Sequence, residues 1–235
     1  MKTLLVTLLL LFGPITSHSK VIQDDEIWAS FNSFIRLNDK WLGFLEYQQL
    51  FLDYSRYNGV QVYRGAVGRV IGKDLSAWMG YAMLNFNERS NSKFPSKPIH
   101  EDRPFLQLLK NADHNKWRIT NRARYEFRQF RYDDSVGQRL RYFLRAQYKL
   151  NGSNWAFAAW DEYFYNMNTI NPSQESHAPT LKAGFNLNLA FIGFAYFFGN
   201  EHQHMIETGY LNNYTNGATA DRNANAWMTT VSGQF

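Results

Sequence analysis

The stretch Asn121-Arg-Ala-Arg-Tyr-Glu-Phe-Arg128 alternates between charged and uncharged side chains. Successive side chains of a β-strand point to opposite faces, so this alternation predicts a strand with one charged and one mainly apolar face. The segment 136–149 repeats the pattern. The charged faces of the two segments carry Arg122, Arg124, Glu126, Arg128, Arg139, Arg141 and Arg145.

The six arginines of these two segments limit which medium can meet the charged face. An arginine at the lipid midplane costs roughly 2–4 kcal/mol, so six of them on a lipid-facing surface are untenable. In a membrane barrel they must line the enclosed interior, and the Tyr/Leu/Ala face then meets lipid. A soluble sandwich would bury the apolar face instead, and alternation alone does not separate the two.

The beginning of the chain favours the membrane. A short basic start, Met1-Lys2-Thr3, precedes a nine-residue apolar run, Leu4 to Phe12, and Gly13-Pro14 then breaks any helix. This layout is typical of a secretory signal cleaved after Ser19, and a bilayer-spanning helix needs about 20 apolar residues. We therefore predict a signal peptide over 1–19 and one β-barrel domain over 20–235.

The end of the chain points to the same location. Trp227, Thr229, Val231, Gly233 and Phe235 fall on one face of a terminal strand. A final aromatic on such a strand resembles the assembly signal of bacterial outer-membrane barrels. We therefore predict Phe235 as the signal for the barrel-assembly machinery and the outer membrane of a Gram-negative cell as the location.

Composition agrees with an exported barrel. The chain is 17% aromatic, has no cysteine and has a mean hydropathy of −0.46, as expected where only alternate residues meet lipid. Its net charge of +5 would suit a nucleic-acid partner, but the predicted export of the chain argues against one. The expected partners are outer-membrane lipid and anionic lipopolysaccharide.

A period of two runs from Glu26 onward and predicts an all-β, transmembrane antiparallel up-and-down barrel of ten to twelve strands. Short turns such as Asn151-Gly152 alternate with the longer connections 88–103 and 168–186. Because an all-antiparallel closed barrel needs an even number of strands, twelve is preferred, with one more near 175–186 or near the N-terminus. The segments read directly are 26–37, 41–55, 58–72, 75–87, 104–110, 115–131, 136–149, 153–167, 187–198, 204–215 and 223–235.

The order of motifs resembles domain of unknown function 2490, a family of predicted Gram-negative outer-membrane barrels. The resemblance covers about 25–235 and implies a fold and a location, but no reaction. The chain departs from the family where Asn188 is followed by Leu189 instead of arginine. The motifs are Glu101-Asp-Arg103 before Leu106-Gln-Leu108, then Asn121–Arg128, Gln138-Arg-Leu-Arg-Tyr142, Asp161-Glu-Tyr-Phe164 and Glu207-Thr-Gly-Tyr-Leu211.

The charged interior admits three interpretations. The first is a non-catalytic structural or interaction protein, in which Glu126, Glu162 and Glu207 accept hydrogen bonds from the arginines named above. The second is a small anion-leaning, porin-like channel, because arginine outnumbers glutamate there. The third is an outer-membrane lipid hydrolase. We also expect Trp160 to lie in the interior and most other tryptophans to lie near strand ends, at the membrane interfaces.

The hydrolase interpretation lacks a convincing nucleophile and base. Ser176 and His177 are adjacent, so in a strand they would point to opposite faces. His202 and His204 lie at a turn expected on the periplasmic side, and two histidines are too few for structural zinc. We therefore predict no enzymatic activity, no catalytic residues, no metal and no cofactor.

The alternation generates a first prediction. Leu144→Arg places a charge on the lipid-facing side and should impair membrane assembly more than Arg145→Leu, which changes the interior. Heat-modifiability gels measure the folded fraction of each variant. Equal assembly of the two variants would contradict the assignment of faces.

Overall fold

A computed structural model gives the structure of residues 21–53, 57–87, 98–176, 178–199, 203–216 and 221–235. None of these residues forms a helix long and apolar enough to cross a membrane. The predicted signal peptide lies outside the described residues. The described elements are β1 (Val21–Arg36), β2 (Trp41–Leu52), β3 (Tyr57–Gly72), β4 (Leu75–Phe86), β5 (Ile99–His114), β6 (Trp117–Phe130), β7 (Val136–Lys149), β8 (Trp155–Asn166), a 3-10 turn (Gln174–Ser176), β9 (Gly184–Phe198), β10 (His204–Thr215) and β11 (Asp221–Gln234).

The strands form one closed barrel. Each strand pairs antiparallel with the next along the chain, and β1 pairs with β11 to complete the ring. This closing pair is parallel, and its register runs from Val21 opposite Asp221 to Phe34 opposite Gln234. The predicted all-β barrel of ten to twelve strands is confirmed, with eleven strands in the described part of the chain.

The preferred count of twelve strands is wrong for the described chain. It assumed that every neighbouring pair is antiparallel, whereas the parallel closure accommodates an odd number. No twelfth strand occurs in the described part of 167–183, where the chain instead forms the 3-10 turn and an isolated bridge between Ile170 and Leu181.

The two ends of the barrel differ in their connections. Phe235 lies beside the end of β1, where its amide donates to the Phe34 carbonyl at 2.8 Å and its carbonyl accepts from the Arg36 amide at 2.7 Å. We call this the turn end, since it also holds the short connections 37–40, 73–74, 115–116, 150–154 and 199–203. The opposite loop end holds 53–56, 131–135, 216–220 and the two longest connections, 87–98 and 167–183.

Local backbone preferences explain the turns. Gly152 has a φ of +63°, which glycine adopts without steric cost. Asp74 and Asn115, in the two-residue turns, have φ values of +60° and +54°. Asp and Asn are among the few other residues that adopt this region readily. The turn predicted at 151–152 therefore lies where the sequence placed it.

The outer face of the barrel is largely apolar. Three tryptophans, Trp41, Trp117 and Trp155, are exposed on this face beside the turn end. Rings at this height match the aromatic belt of a membrane interface. Trp28 and Trp78, by contrast, lie on the inward-facing side of the alternation, so the expectation of interfacial tryptophans is wrong for these two. Mid-strand outward residues include Leu45, Val67, Met79, Leu106, Leu108, Leu140, Tyr142, Ile192 and Phe194.

The interior has two unlike walls. The wall formed by β8 to β11 is apolar over much of its length, and Trp160 and Trp28 pack against it. The opposite wall, formed mainly by β5 to β8, carries the arginines and glutamates. The buried residues of the apolar wall are Ala158, Phe164, Leu189, Phe191, Leu211, Ala226 and Met228.

The parallel closure generates a second prediction, that the start of β1 lies at the end of the barrel opposite Phe235. An epitope inserted directly before Val21 should be detected on intact cells. Glu175→Cys, in a loop-end connection, should also react with a membrane-impermeant maleimide on intact cells. Asp39→Cys, in a turn-end connection, should react only after permeabilisation. The chain has no cysteine of its own, so labelling reports the introduced site alone.

Detection of the epitope only after permeabilisation, with Glu175→Cys labelled on intact cells, would contradict the parallel pair. The Asp39→Cys chain serves as the control for cell integrity.

Candidate functional site: the charged interior

The barrel interior holds all nine charged residues that the alternation placed there. Register puts them on one face of neighbouring strands: Glu126 opposes Arg139, and Arg124 opposes Arg141. The nine are Arg122, Arg124, Glu126 and Arg128 on β6, Arg139, Arg141 and Arg145 on β7, Glu162 on β8 and Glu207 on β10.

Glu126 is the shared acceptor at the centre of this wall. Its Oε2 accepts from Arg139 Nε at 2.9 Å, and its Oε1 accepts from Arg141 Nη1 at 2.6 Å. Arg124 Nη1 is more distant, at 3.5 Å. The main acceptor for Arg124 is the amide oxygen of Gln107, at 2.6 and 2.9 Å. All five side chains are therefore tied to one another across three strands.

Glu162 extends the network to the next strand. Its Oε1 accepts from Arg122 Nη2 at 2.7 Å and from Arg141 Nε at 2.9 Å. Arg141 thus bridges two carboxylates, and its planar guanidinium suits this because its donors diverge in a fixed fork. Removing either carboxylate leaves Arg141 with the other.

Aromatic rings cover the guanidinium planes. Arg122 lies over Phe143 at 4.5 Å from the ring centroid, and Arg124 lies over Phe105 at 4.3 Å. Arg141 lies over Phe164 at 4.4 Å. Each ring fills space that water would otherwise occupy and attracts the cation through its quadrupole.

Glu207 connects the charged wall to the opposite side of the barrel. Its carboxylate accepts from Arg145, and the Trp160 indole N–H donates to it at 3.3 Å. Trp160 stacks on Phe191 with 5.2 Å between ring centroids. The expectation that Trp160 lies in the interior matches this position.

Sequence reasoning missed a second shared carboxylate, Glu101. Arg103 donates to it at 2.5 and 2.7 Å, and Arg128 donates to it at 2.5 and 3.0 Å. The predicted segment 104–110 begins three residues after Glu101, so it assigns no inward-facing position to this carboxylate. In the barrel, β5 continues through Pro104, and the pairing with β6 is interrupted only around it.

Two further pairs were also missed. Arg64 on β3 donates to Glu46, the residue directly opposite it on β2. Nη2 of Arg222 on β11 lies 2.5 Å from Oε1 of Glu26 on β1. Each pair joins neighbouring strands, and the second forms only across the parallel closure. The alternation of side chains along β2 and β3 could have predicted that Glu46 and Arg64 face inward.

An apolar cap lies at the loop end of the interior. Ile170 and Leu181, in the long connection 167–183, exchange backbone hydrogen bonds of 2.9 and 3.0 Å. Their side chains are buried against Ile99 and Phe130. The connection therefore folds over the inward-facing residues of β5 and β6 and covers that part of the opening.

A polar clamp fixes this connection to its neighbour. Asp133, in the connection 131–135, accepts hydrogen bonds from the Ser135 hydroxyl and from the Ser173 amide. These bonds favour the ionised form and lower the pKa of the Asp133 carboxyl, the Ser135 hydroxyl contributing most. The Ser173 hydroxyl also donates to the Tyr132 carbonyl at 2.8 Å.

Among the residues weighed for hydrolysis and metal binding, the structure describes His204 and Glu207 and places them on opposite faces of β10. His204 is on the outer face at the turn end. Its ring packs between those of Phe198 and Phe235, with 5.4 and 5.7 Å between ring centroids. Glu207, three residues on, faces the interior. His177 and His202 lie outside the described residues. Within the described part of the chain, no group of three or more His, Cys, Asp or Glu side chains is placed to hold a metal ion.

The fold and the interior together define a closed all-β barrel with a charged, hydrogen-bonded lumen. The chain belongs to the family described as protein of unknown function DUF2490, whose family model matches residues 25–224. The departure from the family pattern has a clear position. Asn188 faces outward and donates to Asp161 at 2.5 Å, and Leu189, where the family has arginine, is buried in the apolar wall.

Among solved structures, the barrel is similar to LpxR from Salmonella typhimurium. The two share 7% sequence identity with a TM-score of 0.47, over 83% of each chain. A comparison with curated proteins finds no match.

A third prediction concerns the shared carboxylate. Glu126→Gln leaves the buried Arg139 without its carboxylate partner and should cost about 3–5 kcal/mol of the free energy of unfolding. The matched control is Asp113→Asn, which breaks the exposed 2.8 Å pair with Arg118 and should cost at most about 1 kcal/mol. Urea unfolding in lipid vesicles, followed by tryptophan fluorescence, measures both. Equal losses in the two variants would contradict a role for the network in stability.

Proposed function

We propose that the protein is an outer-membrane β-barrel without catalytic activity, whose sealed interior leaves it a structural or interaction role. The observation that carries the proposal is the network itself. Glu126 and Glu162, in the middle of the charged wall, each hold arginines from β6 and β7 inside the barrel.

The loop end supports a sealed interior in a second way. The buried pair Ile170 and Leu181 covers part of the opening. A cavity of about 370 Å³ lies beside this cap and is bounded by Pro179 of the same connection and by Glu101 and Arg128 below. Both charged residues are hydrogen-bonded to each other, so the network lines this side of the cavity.

The outer face supports the membrane location. Large apolar residues are exposed at mid-strand, and the tryptophan belt lies at the turn end. In this placement the turn end with Phe235 faces the periplasm, where the barrel-assembly machinery acts. The loop end faces outward, toward lipopolysaccharide, and lipid covers the wall between.

A small anion-leaning channel is the second candidate, favoured by one observation. The described interior carries nine arginines and six glutamates on its inward-facing positions. A water-filled path past this wall would favour anions. A lipid hydrolase ranks third. Two of the three described histidines, His100 and His204, contact Asn85 and aromatic rings, and the third, His114, is exposed at the end of β5.

A fourth prediction separates the first two candidates. The purified mature chain, inserted into planar bilayers, should show no steady single-channel steps. Heat modifiability of the same preparation is the control that the barrel has folded. Steady steps from a heat-modifiable preparation would overturn the sealed interior, and a reversal potential that favours anions would then support the channel.

A further inference from the structure

The charges of the described interior do not balance. Three more arginines than glutamates face inward, and all are wholly or largely buried. The arginines are Arg64, Arg103, Arg122, Arg124, Arg128, Arg139, Arg141, Arg145 and Arg222, and the glutamates are Glu26, Glu46, Glu101, Glu126, Glu162 and Glu207.

Most of the excess lies in the middle of the charged wall. Glu207 pairs with Arg145, Glu26 pairs with Arg222, and Glu101 pairs with both Arg103 and Arg128. In between, five arginines share three carboxylates. These are Arg64, Arg122, Arg124, Arg139 and Arg141, with Glu46, Glu126 and Glu162.

Two donors of this middle group lack acceptors among the described residues. The Nε–H groups of Arg64 and Arg122 are buried with no hydrogen-bond partner in the part of the chain that the structure describes. The Arg64 side chain is only 8% exposed. Arg124 is bonded chiefly to the neutral amide of Gln107. A buried guanidinium left with an unmet donor is costly, so these groups favour an additional acceptor.

The same guanidinium groups approach one another across the barrel. Arg64 comes from β3, whereas Arg122 and Arg124 come from β6, and they interact electrostatically although their strands are not neighbours. Like charges gathered in a poorly solvated interior repel strongly. A negative charge placed among them would offset this repulsion and accept the free Nε–H bonds.

We propose that the interior binds a small inorganic anion between Arg64, Arg122 and Arg124. The ligand class is a halide or a compact oxyanion such as sulfate, since the donors that lack acceptors are guanidinium N–H groups. The anion is a structural ligand of the folded barrel. This inference goes beyond the sealed-barrel function and holds whether or not ions cross the membrane.

The test uses the full mature chain, refolded in detergent at constant ionic strength while chloride replaces gluconate, an anion too large for the site. An anion that binds only the folded state raises its stability with concentration. The unfolding temperature of the wild-type barrel should therefore rise with chloride and then saturate.

Two matched variants locate the effect. Arg124→Gln removes one interior charge and leaves Glu126 with Arg139 and Arg141, and it should raise the chloride concentration for half-maximal stabilisation at least tenfold. Arg103→Gln also removes one charge and leaves Glu101 with Arg128, and it should keep the wild-type chloride dependence. Heat-modifiability gels show that each variant has folded.

Bromide provides a readout that needs no variant. Wild-type crystals grown in bromide should show an anomalous peak within hydrogen-bond distance of the Arg64 and Arg122 Nε atoms. The proposal would be overturned by any of three results. These are an unfolding temperature of the wild type that does not change with chloride, an equal loss of chloride dependence in both variants, or the absence of bromide density at this position. Planar-bilayer conductance tests the sealed interior separately, so failure of one does not imply failure of the other.

Discussion

The constraint on which the structure depends is that guanidinium groups cannot lie in lipid. Every inward-facing position on β6 from Arg122 to Arg128 is charged, and a shift by one residue would turn that whole row outward. The carboxylates of Glu126 and Glu162 therefore do more than neutralise the charge of the arginines. By accepting from arginines on neighbouring strands, they hold the register of β6, β7 and β8 and so determine which side of the wall is inside.

The remaining architecture follows from enclosing that wall. The buried apolar residues of β8 to β11 form one packed cluster on the facing wall. The parallel β1–β11 pair closes the ring with an odd number of strands. Its consequence is that the described chain begins and ends at opposite ends of the barrel. The long connections gather at the loop end, where Ile170 and Leu181 cover part of the opening.

Alternation along single strands was enough to predict the strands, their two faces and the first nine charged residues, because it depends only on the period of two. The choice of a membrane barrel over a soluble sandwich needed the two ends of the chain as well. It could not reveal contacts that depend on which strands meet. The pair of Glu26 and Arg222 exists because β1 meets β11 in parallel, and no local pattern encodes that closure. Glu101 was missed because the predicted segment began at Pro104, whereas β5 begins at Ile99. The twelfth strand was predicted from parity, which the parallel pair removes.

The most direct test of which medium touches each face is nitroxide labelling of β7 in lipid vesicles, at positions 140, 142 and 144, with Asn151 in a turn as the aqueous control. If these positions face acyl chains, their labels should collide readily with oxygen and poorly with a water-soluble nickel chelate, whereas the label at 151 should show the reverse. Chelate accessibility at 140, 142 and 144 as high as at 151 would show that water covers this face, and the guanidinium groups would then have no enclosed interior to occupy.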